Sequence, residues 1–338
     1  MQNVLLSAEE SFRIVATSLE LTEVVVVGAK VEKAGGICVS SRLFTDLVVS
    51  LPQETVQLVV KEGALHVRCG KVNATIPGVS ANEFPPVSEA KKKDAVPLEK
   101  NALLAALSGV IFAAATDEGR PILTGIKILK KDSGIVVMAT DGYRLSQKHL
   151  KLSVSGDLDV TVPARALSEV VKASGEEKEV SEVGMVLAVD GSLLFRVGDT
   201  EIHTRVIAGE YPNIEKIVPK VYTTRVLVDT ISLTRAVKSA AVFARDNANI
   251  LRLHIENQSV VVSANTPQVG ENHVEVEAKV DGEGGDIAFN SRFLIEFLNG
   301  FVGDELLFEM TGSLNPGVFK SPKDESYFHI IMPVRVQG

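Results

Sequence analysis

The sequence predicts an α+β protein made of three copies of one domain, with far more strand than helix. Three observations carry that reading. An apolar run ending in Ala, a small polar residue and a turn occurs around Ala16, Ala139 and Ala264, at spacings of 123 and 125 residues. A strand end running into a short helix, Ser41-Arg42-Leu43-Phe44, recurs as Ala164-Arg165-Ala166-Leu167 and Ser291-Arg292-Phe293-Leu294, with the arginines 123 and 127 residues apart. The aromatic–proline pairs Phe84-Pro85 and Tyr211-Pro212 are separated by 127 residues. A solenoid unit has roughly 20–50 residues, so each copy has the size of a whole domain.

The elements follow in order. In the first copy Asn3 to Leu6 reads as a strand and Ser41 to Ser50 as a short helix. Val56 to Val60 and Leu65 to Cys69 flank Gly63 and read as two strands joined by a turn. The second copy opens on a long helix from Leu98 to Thr116, with Leu103, Leu104, Leu107, Val110 and Ile111 on one face. Strands at Gly125 to Ile128 and Leu158 to Val162 and a short helix from Pro163 to Ala173 follow it. The third copy repeats the pattern with a long helix from Asp229 to Arg245, an alternating strand at His273 to Glu277 and a short helix from Asn290 to Leu298. Phe328 to Val336 is apolar on both faces almost to the chain end. That suits a central core strand, or a strand ending in a Met-containing pocket for a partner's apolar side chains.

Charged links after the aromatic–proline segments place the boundaries, giving domains 1–92, 93–219 and 220–338. The lysines of Glu89 to Asp94 read as a solvated linker. About 28 residues, including the long helix, precede Gly125 in the second copy, whereas Asn3 begins the equivalent strand of the first. The first copy therefore lacks a leading strand and its long helix. Either the true start lies upstream of Met1, or one domain has a thinned wall. In the second case Asn3 to Leu6 and Val24 to Val27 should form an exposed edge.

Composition is that of an ordinary soluble chain, with 45% hydrophobic and 23% charged residues. No apolar stretch reaches membrane-span length and the start lacks a signal-peptide pattern. A cytoplasmic location fits the two unpatterned cysteines, Cys38 and Cys69. The six histidines show no metal-ligand spacing and read mostly as strand-surface residues; no cofactor is implied. Gly70-Lys71 lacks the spacing of a phosphate loop. Asp281 to Asp286 lacks a calcium-loop pattern and reads as a flexible hairpin turn. Net charge is −8, which alone argues against phosphate binding. Charge distribution is a separate matter. The helices carry Arg42, Arg165, Lys172, Arg235, Lys238, Arg245 and Arg292. These read either as one basic face shared by equivalent helices, able to meet phosphates without reading bases, or as scattered surface charge.

Four further segments carry a resemblance: Ala139 to Leu145 (ATDGYRL), Glu210 to Pro219 (EYPNIEKIVP), Ala288 to Asn290 (AFN) and Met332 to Arg335 (MPVR). With the repeat, they make the whole chain resemble the bacterial sliding clamp family, the beta subunit of DNA polymerase III. The resemblance implies the DNA clamp fold, with three domains of antiparallel sheet and pore-lining helices. It implies a homodimeric ring around duplex DNA, held without sequence preference and without catalysis. The basic helix residues above and Arg120 would then face DNA. Implied partners are the DNA polymerase III alpha subunit, a clamp loader and other proteins with a short apolar clamp-binding motif.

That motif would enter a pocket of Leu123, Thr140, Gly142, Arg144, Leu145, Pro212, Ile217, Asn290, Phe293, Leu314, Ile330, Met332, Pro333, Val334 and Arg335. Tyr143 stands where the family often has His, and Lys216 where it often has Arg. Ring closure would bring Lys71, Ala74 and Ile76 against Val242 and Phe243, with Ala74 where an aromatic is common. Gln337-Gly338 extends beyond the usual stop. A clamp relative that binds partners without closing around DNA remains the alternative.

Overall fold

The computed structural model describes residues 2–87, 95–131, 134–152, 158–188, 191–267 and 270–336. The charged link at 89–94 and the terminal Gln337-Gly338 lie outside the described residues. The first copy contributes β1 (Asn3–Ala8), β2 (Phe12–Thr17), β3 (Thr22–Val27), β4 (Gly35–Ser40), α1 (Ser41–Ser50), β5 (Val56–Lys61), β6 (Ala64–Cys69) and β7 (Val72–Ser80). The second contributes β8 (Val96–Glu99), α2 (Lys100–Val110), β9 (Gly125–Lys131), β10 (Gly134–Thr140), β11 (Arg144–Leu150), β12 (Asp159–Pro163), α3 (Ala164–Glu176), β13 (Glu182–Leu187), β14 (Ser192–Val197) and β15 (Thr200–Arg205). The third contributes β16 (Thr224–Asp229), α4 (Thr230–Ala244), β17 (Ile250–Glu256), β18 (Ser259–Thr266), β19 (Gly270–Gly282), β20 (Gly285–Asn290), α5 (Ser291–Gly300), β21 (Glu305–Met310), β22 (Gly317–Ser321) and β23 (Asp324–Ile331).

The chain divides into two compact units, residues 1–101 with 165–206, and residues 102–164 with 207–338. The first holds an 11-stranded sheet in the order β5-β6-β7-β4-β1-β2-β3-β15-β14-β13-β8. Its N-terminal core gathers Val4, Leu6, Ile37, Val39, Leu65 and Val67 beneath Phe44 of α1. β1 pairs with both β2 and β4, and β3 with both β2 and β15. The expected exposed edge at Asn3 to Leu6 and Val24 to Val27 is therefore absent: both segments are interior strands, and the sheet ends on β5 and β8. Glu62 and Gly63 both have positive φ, the two-residue turn whose twist matches a β5–β6 hairpin.

The second unit holds a 12-stranded sheet in the order β12-β9-β10-β11-β23-β22-β21-β16-β19-β18-β17-β20. β23 is bonded on both sides, to β11 and β22, but ends at Ile331, so of the apolar run from Phe328 to Val336 only Phe328 to Ile331 lie in the strand. Phe289, Phe297, Phe308 and Phe319 fill the core beneath α4 and α5. Helix ends follow local capping. Asp229 accepts a 2.7 Å bond from the Ser232 amide to start α4, and Asn290 accepts one of 3.0 Å from Arg292 to start α5.

Two sequence expectations change. The long helix of the second copy begins at Lys100, after strand β8, and gives way at Ile111 to a 3-10 turn, because Val110 leaves helical geometry at φ −124. Asp281 to Asp286 is no hairpin: β19 and β20 do not pair, and the glycines carry the chain between strands with different neighbours. Among the described residues no helix is long and apolar enough to cross a membrane.

Candidate functional site

All fifteen residues of the expected peptide pocket belong to the second unit. β10 ends at Thr140, a loop carries Gly142 and Tyr143, and β11 starts at Arg144. The loop is fixed by its own polar atoms. Thr140 Oγ1 donates to the Arg144 carbonyl at 2.6 Å and accepts from the Gly142 amide at 3.0 Å. Asp141 Oδ1 accepts from the amides of Tyr143 (2.8 Å) and Arg144 (3.0 Å). Gly142 sits at φ +93, and a Cβ there would also lie 3.1 Å from Arg120 Nη2. The Met332 amide donates to the Tyr143 carbonyl at 2.8 Å, and Val334 to the Ala288 carbonyl at 2.8 Å. The C-terminal segment is thereby laid beside the loop.

Register makes the floor. Leu145 stands directly opposite Ile330 across the β11–β23 pair. Both join Val136, Met138, Tyr211, Ile214 and Val318 in one apolar cluster. Leu123, Thr140, Leu145 and Ile330 are buried. Gly142, Pro212, Ile217, Leu314, Met332 and Arg335 are exposed, and Asn290, Phe293, Pro333 and Val334 half-buried. Exposed Tyr143, which the resemblance left out of the pocket, stands among them. A cleft of about 830 Å3 lies against the same cluster, lined by Met138, Tyr211, Pro212, Ile214, Val218 and Phe328. Of the expected pocket residues, only Pro212 lines it.

Arg144 lies buried rather than at the surface. Its guanidinium is buried, paired with Asp141 Oδ2 at 3.0 Å and Glu296 Oε2 at 2.5 Å. It donates to the Phe112 carbonyl at 2.6 Å and lies 4.5 Å from the centre of the Phe293 ring. These contacts tie the loop to α5. Asp141, Phe112 and Glu296 are the neighbours of Arg144 that sequence reasoning missed; 155 residues separate Asp141 from Glu296.

Every expected DNA-facing cation is exposed. Arg42, Arg165 and Arg292 each occupy the second residue of α1, α3 and α5, so the repeat delivers one cation to one helical position three times. Arg235 and Lys238 lie on α4 and Arg245 ends it. Arg42 is 3.9 Å from Asp46 and Lys172 3.7 Å from Glu169, both at solvent-exposed pairs of small worth. Arg120 differs. It lies on no α-helix and donates to the Asp141 carbonyl at 3.0 Å, beside the pocket loop.

Of the expected dimer residues, Lys71 and Val242 are exposed, Ala74 and Phe243 half-buried. Ile76 is buried in its own core, which leaves only its backbone for an interface. Residues 72–77 of β7 pair with β6 on one side alone, and residues 270–277 of β19 with β18 alone. Among the described residues nothing bonds the other edges. Phe243 packs beside Gly270 at the start of β19.

The family model of the DNA polymerase III beta subunit, N-terminal domain, matches residues 1–88. The central-domain model matches residues 97–213 and the C-terminal-domain model residues 215–335. The chain belongs to the DNA polymerase III beta subunit family. Among relatives of this family, the beta sliding clamp of Bacillus subtilis is 27% identical over 311 residues, covering 90% of this chain and 82% of the relative. The beta sliding clamp of Staphylococcus epidermidis is 29% identical over the same length, covering 90% and 81%. The solved DNA polymerase III subunit beta of Pseudomonas aeruginosa superposes with a TM-score of 0.91 at 25% identity, over 99% of this chain and 92% of that one. The Bacillus subtilis DNA polymerase sliding clamp, with a TM-score of 0.92 at 24% identity and the same coverage, agrees in fold.

Proposed function

We propose that this chain is a non-catalytic sliding clamp: half of a homodimeric ring that encircles duplex DNA in the cytoplasm and tethers polymerase and other partners. Its three domains, 1–92, 93–219 and 220–338, would each present one short helix to the DNA. The observation that carries this reading is the recurrence of an exposed arginine at the second residue of α1, α3 and α5. Contacts of that kind are to phosphate and carry no sequence preference. A ring holds DNA by topology, so few cations suffice and a net charge of −8 is no obstacle.

Two open strand edges support the homodimer. β7 of one copy would add to β19 of another, with Val242 and Phe243 beside the seam. Exposed Ile217, Leu314 and Met332 around the buried Leu145–Ile330 floor support a site for a short apolar peptide of the Gln-Leu-x-Leu-Phe type. The polymerase alpha subunit and the clamp loader are its expected users.

The test is retention on DNA. Loaded on a circular duplex by a clamp loader, the protein should stay bound through a high-salt wash and be lost after a single linearising cut. Equal retention on linear duplex with free ends would overturn the reading. No salt-resistant retention on circles would leave the clamp relative that does not close.

A further inference from the structure

The segment from Gly209 to Tyr222 lines two cavities in turn, and Lys220 stands in both. The larger is the cleft of about 830 Å3. Strand pairing makes its floor. Val136 stands opposite Leu129, Met138 opposite Gln147, and Gln147 opposite Phe328. Residues directly opposite one another share a sheet face. Leu129, Val136, Met138 and Phe328 thus form one apolar surface, with Ile214 and Val218 of the linking segment against it. The same cluster contains Leu145 and Ile330 of the peptide pocket, and Pro212 belongs to cleft and expected pocket alike.

The rim is charged. Lys127, Lys131 and Lys220 stand at the larger cleft with Asp159 and Glu210. The smaller cavity, about 210 Å3, adds Arg225 and Lys320 beside Glu309. Arg225 Nη2 donates to Glu309 Oε1 at 2.5 Å and Lys320 Nζ to Oε2 at 2.6 Å, so one carboxylate there meets two cations. Among the described lining residues, five cations face three carboxylates, in a chain whose net charge is −8. The local excess is opposite in sign to the whole chain, which draws an acidic segment to this face and repels a basic one. An apolar floor under a cationic rim fits a peptide that carries both apolar and acidic side chains.

We propose that the cleft holds an acidic, apolar flank of the partner peptide whose motif enters the neighbouring pocket, an inference that rests on the pocket reading above. A chain leaving the pocket past Pro212 meets the cleft floor, because the two share one apolar cluster. The flank's apolar side chains lie on Val136, Met138 and Phe328, and its carboxylates meet Lys131 and Lys220. The pocket reads the motif, and the cleft discriminates among partners that share it.

The probes are a Gln-Leu-Ser-Leu-Phe core peptide, the same core with alternating Glu and Leu residues added at either end, and that flank alone bearing a photocrosslinker. Each is titrated against the full-length protein. The flank should tighten core binding by at least about tenfold, the scale of one buried apolar side chain, and the gain should shrink at high salt. Lys131→Glu together with Lys220→Glu should abolish the gain while leaving core affinity and thermal unfolding unchanged, since both side chains are exposed. The double variant should instead favour a flank of alternating Lys and Leu, an exchange that a purely structural role for the two lysines would not produce. The flank alone should crosslink within residues 127–138 and 210–220. Core binding with no gain from the flank overturns the proposal and leaves the pocket reading intact. A gain that survives the double substitution overturns it as well. Failure of the core to bind overturns the pocket reading, and the crosslinks of the flank alone then test the cleft separately: their absence, or their persistence in the double variant, overturns it.

Discussion

His329 lies flat on Phe297, with ring centroids 4.7 Å apart and planes 4° from parallel. The stack joins β23 to α5 three residues before Met332. His329 is fully buried, its Nδ1 sharing a 2.6 Å hydrogen bond with Ser146 Oγ, and Arg144 is close by. Burial, reinforced by the guanidinium, holds its pKa well below 6.5.

The pH dependence follows with a definite sign. The unfolded chain takes up a proton at this histidine near pH 6.5. The folded chain does not, so the unfolded state binds more protons below that pH and stability falls as pH drops. The loss grows by up to about 1.4 kcal/mol per pH unit. Denaturant unfolding of the wild type and His329→Phe at pH 7.5 and 5.5 checks it. The variant should lose less stability on acidification; equal losses would count against a neutral buried His329.

Arg144→Ala should destabilise the second unit by about 3–5 kcal/mol, because it leaves Asp141 and Glu296 without their partner. Arg144→Lys should recover only part, since a single ammonium cannot make the contacts to Asp141, Glu296 and the Phe112 carbonyl together. Urea midpoints read the series. A partner-binding loss with no stability change would instead make Arg144 a contact residue.

Among the pocket residues, exposure separates binding from folding. Met332→Ala and Ile217→Ala should each weaken a clamp-motif peptide by about 1–3 kcal/mol with little change in thermal unfolding. Leu145→Ala should cost about 2–5 kcal/mol of stability through a core cavity. Peptide titration and calorimetry on the same samples distinguish the two effects.

Arg235→Gln and Arg292→Gln should each reduce the salt slope of DNA binding by about 1 without altering sequence preference. Arg120→Gln should leave the slope unchanged, because Arg120 serves the Asp141 loop. Fluorescence anisotropy with a duplex at several salt concentrations measures both.

Much of the fold is legible in the sequence. Helix α1 starts and stops where the pattern places it, and α4 falls between Asp229 and Arg245, because apolar periodicity and a Ser or Asp cap are local signals. The end of α2 is not legible: its apolar face continues past Val110 while the backbone turns. Nor is the division between pocket floor and rim. Leu145 and Met332 look alike in sequence, and only strand pairing buries one and leaves the other exposed.

The sequence by itself determined the threefold repeat, the strand-rich class, the family and the three equivalent arginines, carried by short local motifs that recur at spacings of 123 to 127 residues. The tertiary structure decided what depends on distant partners. It committed Arg144 to Glu296, buried Ile76, and set Asn3–Leu6 inside a sheet that ends on β5 and β8. The reason is that a strand's exposure is set by which neighbours pair with it, and those neighbours lie far away in the chain.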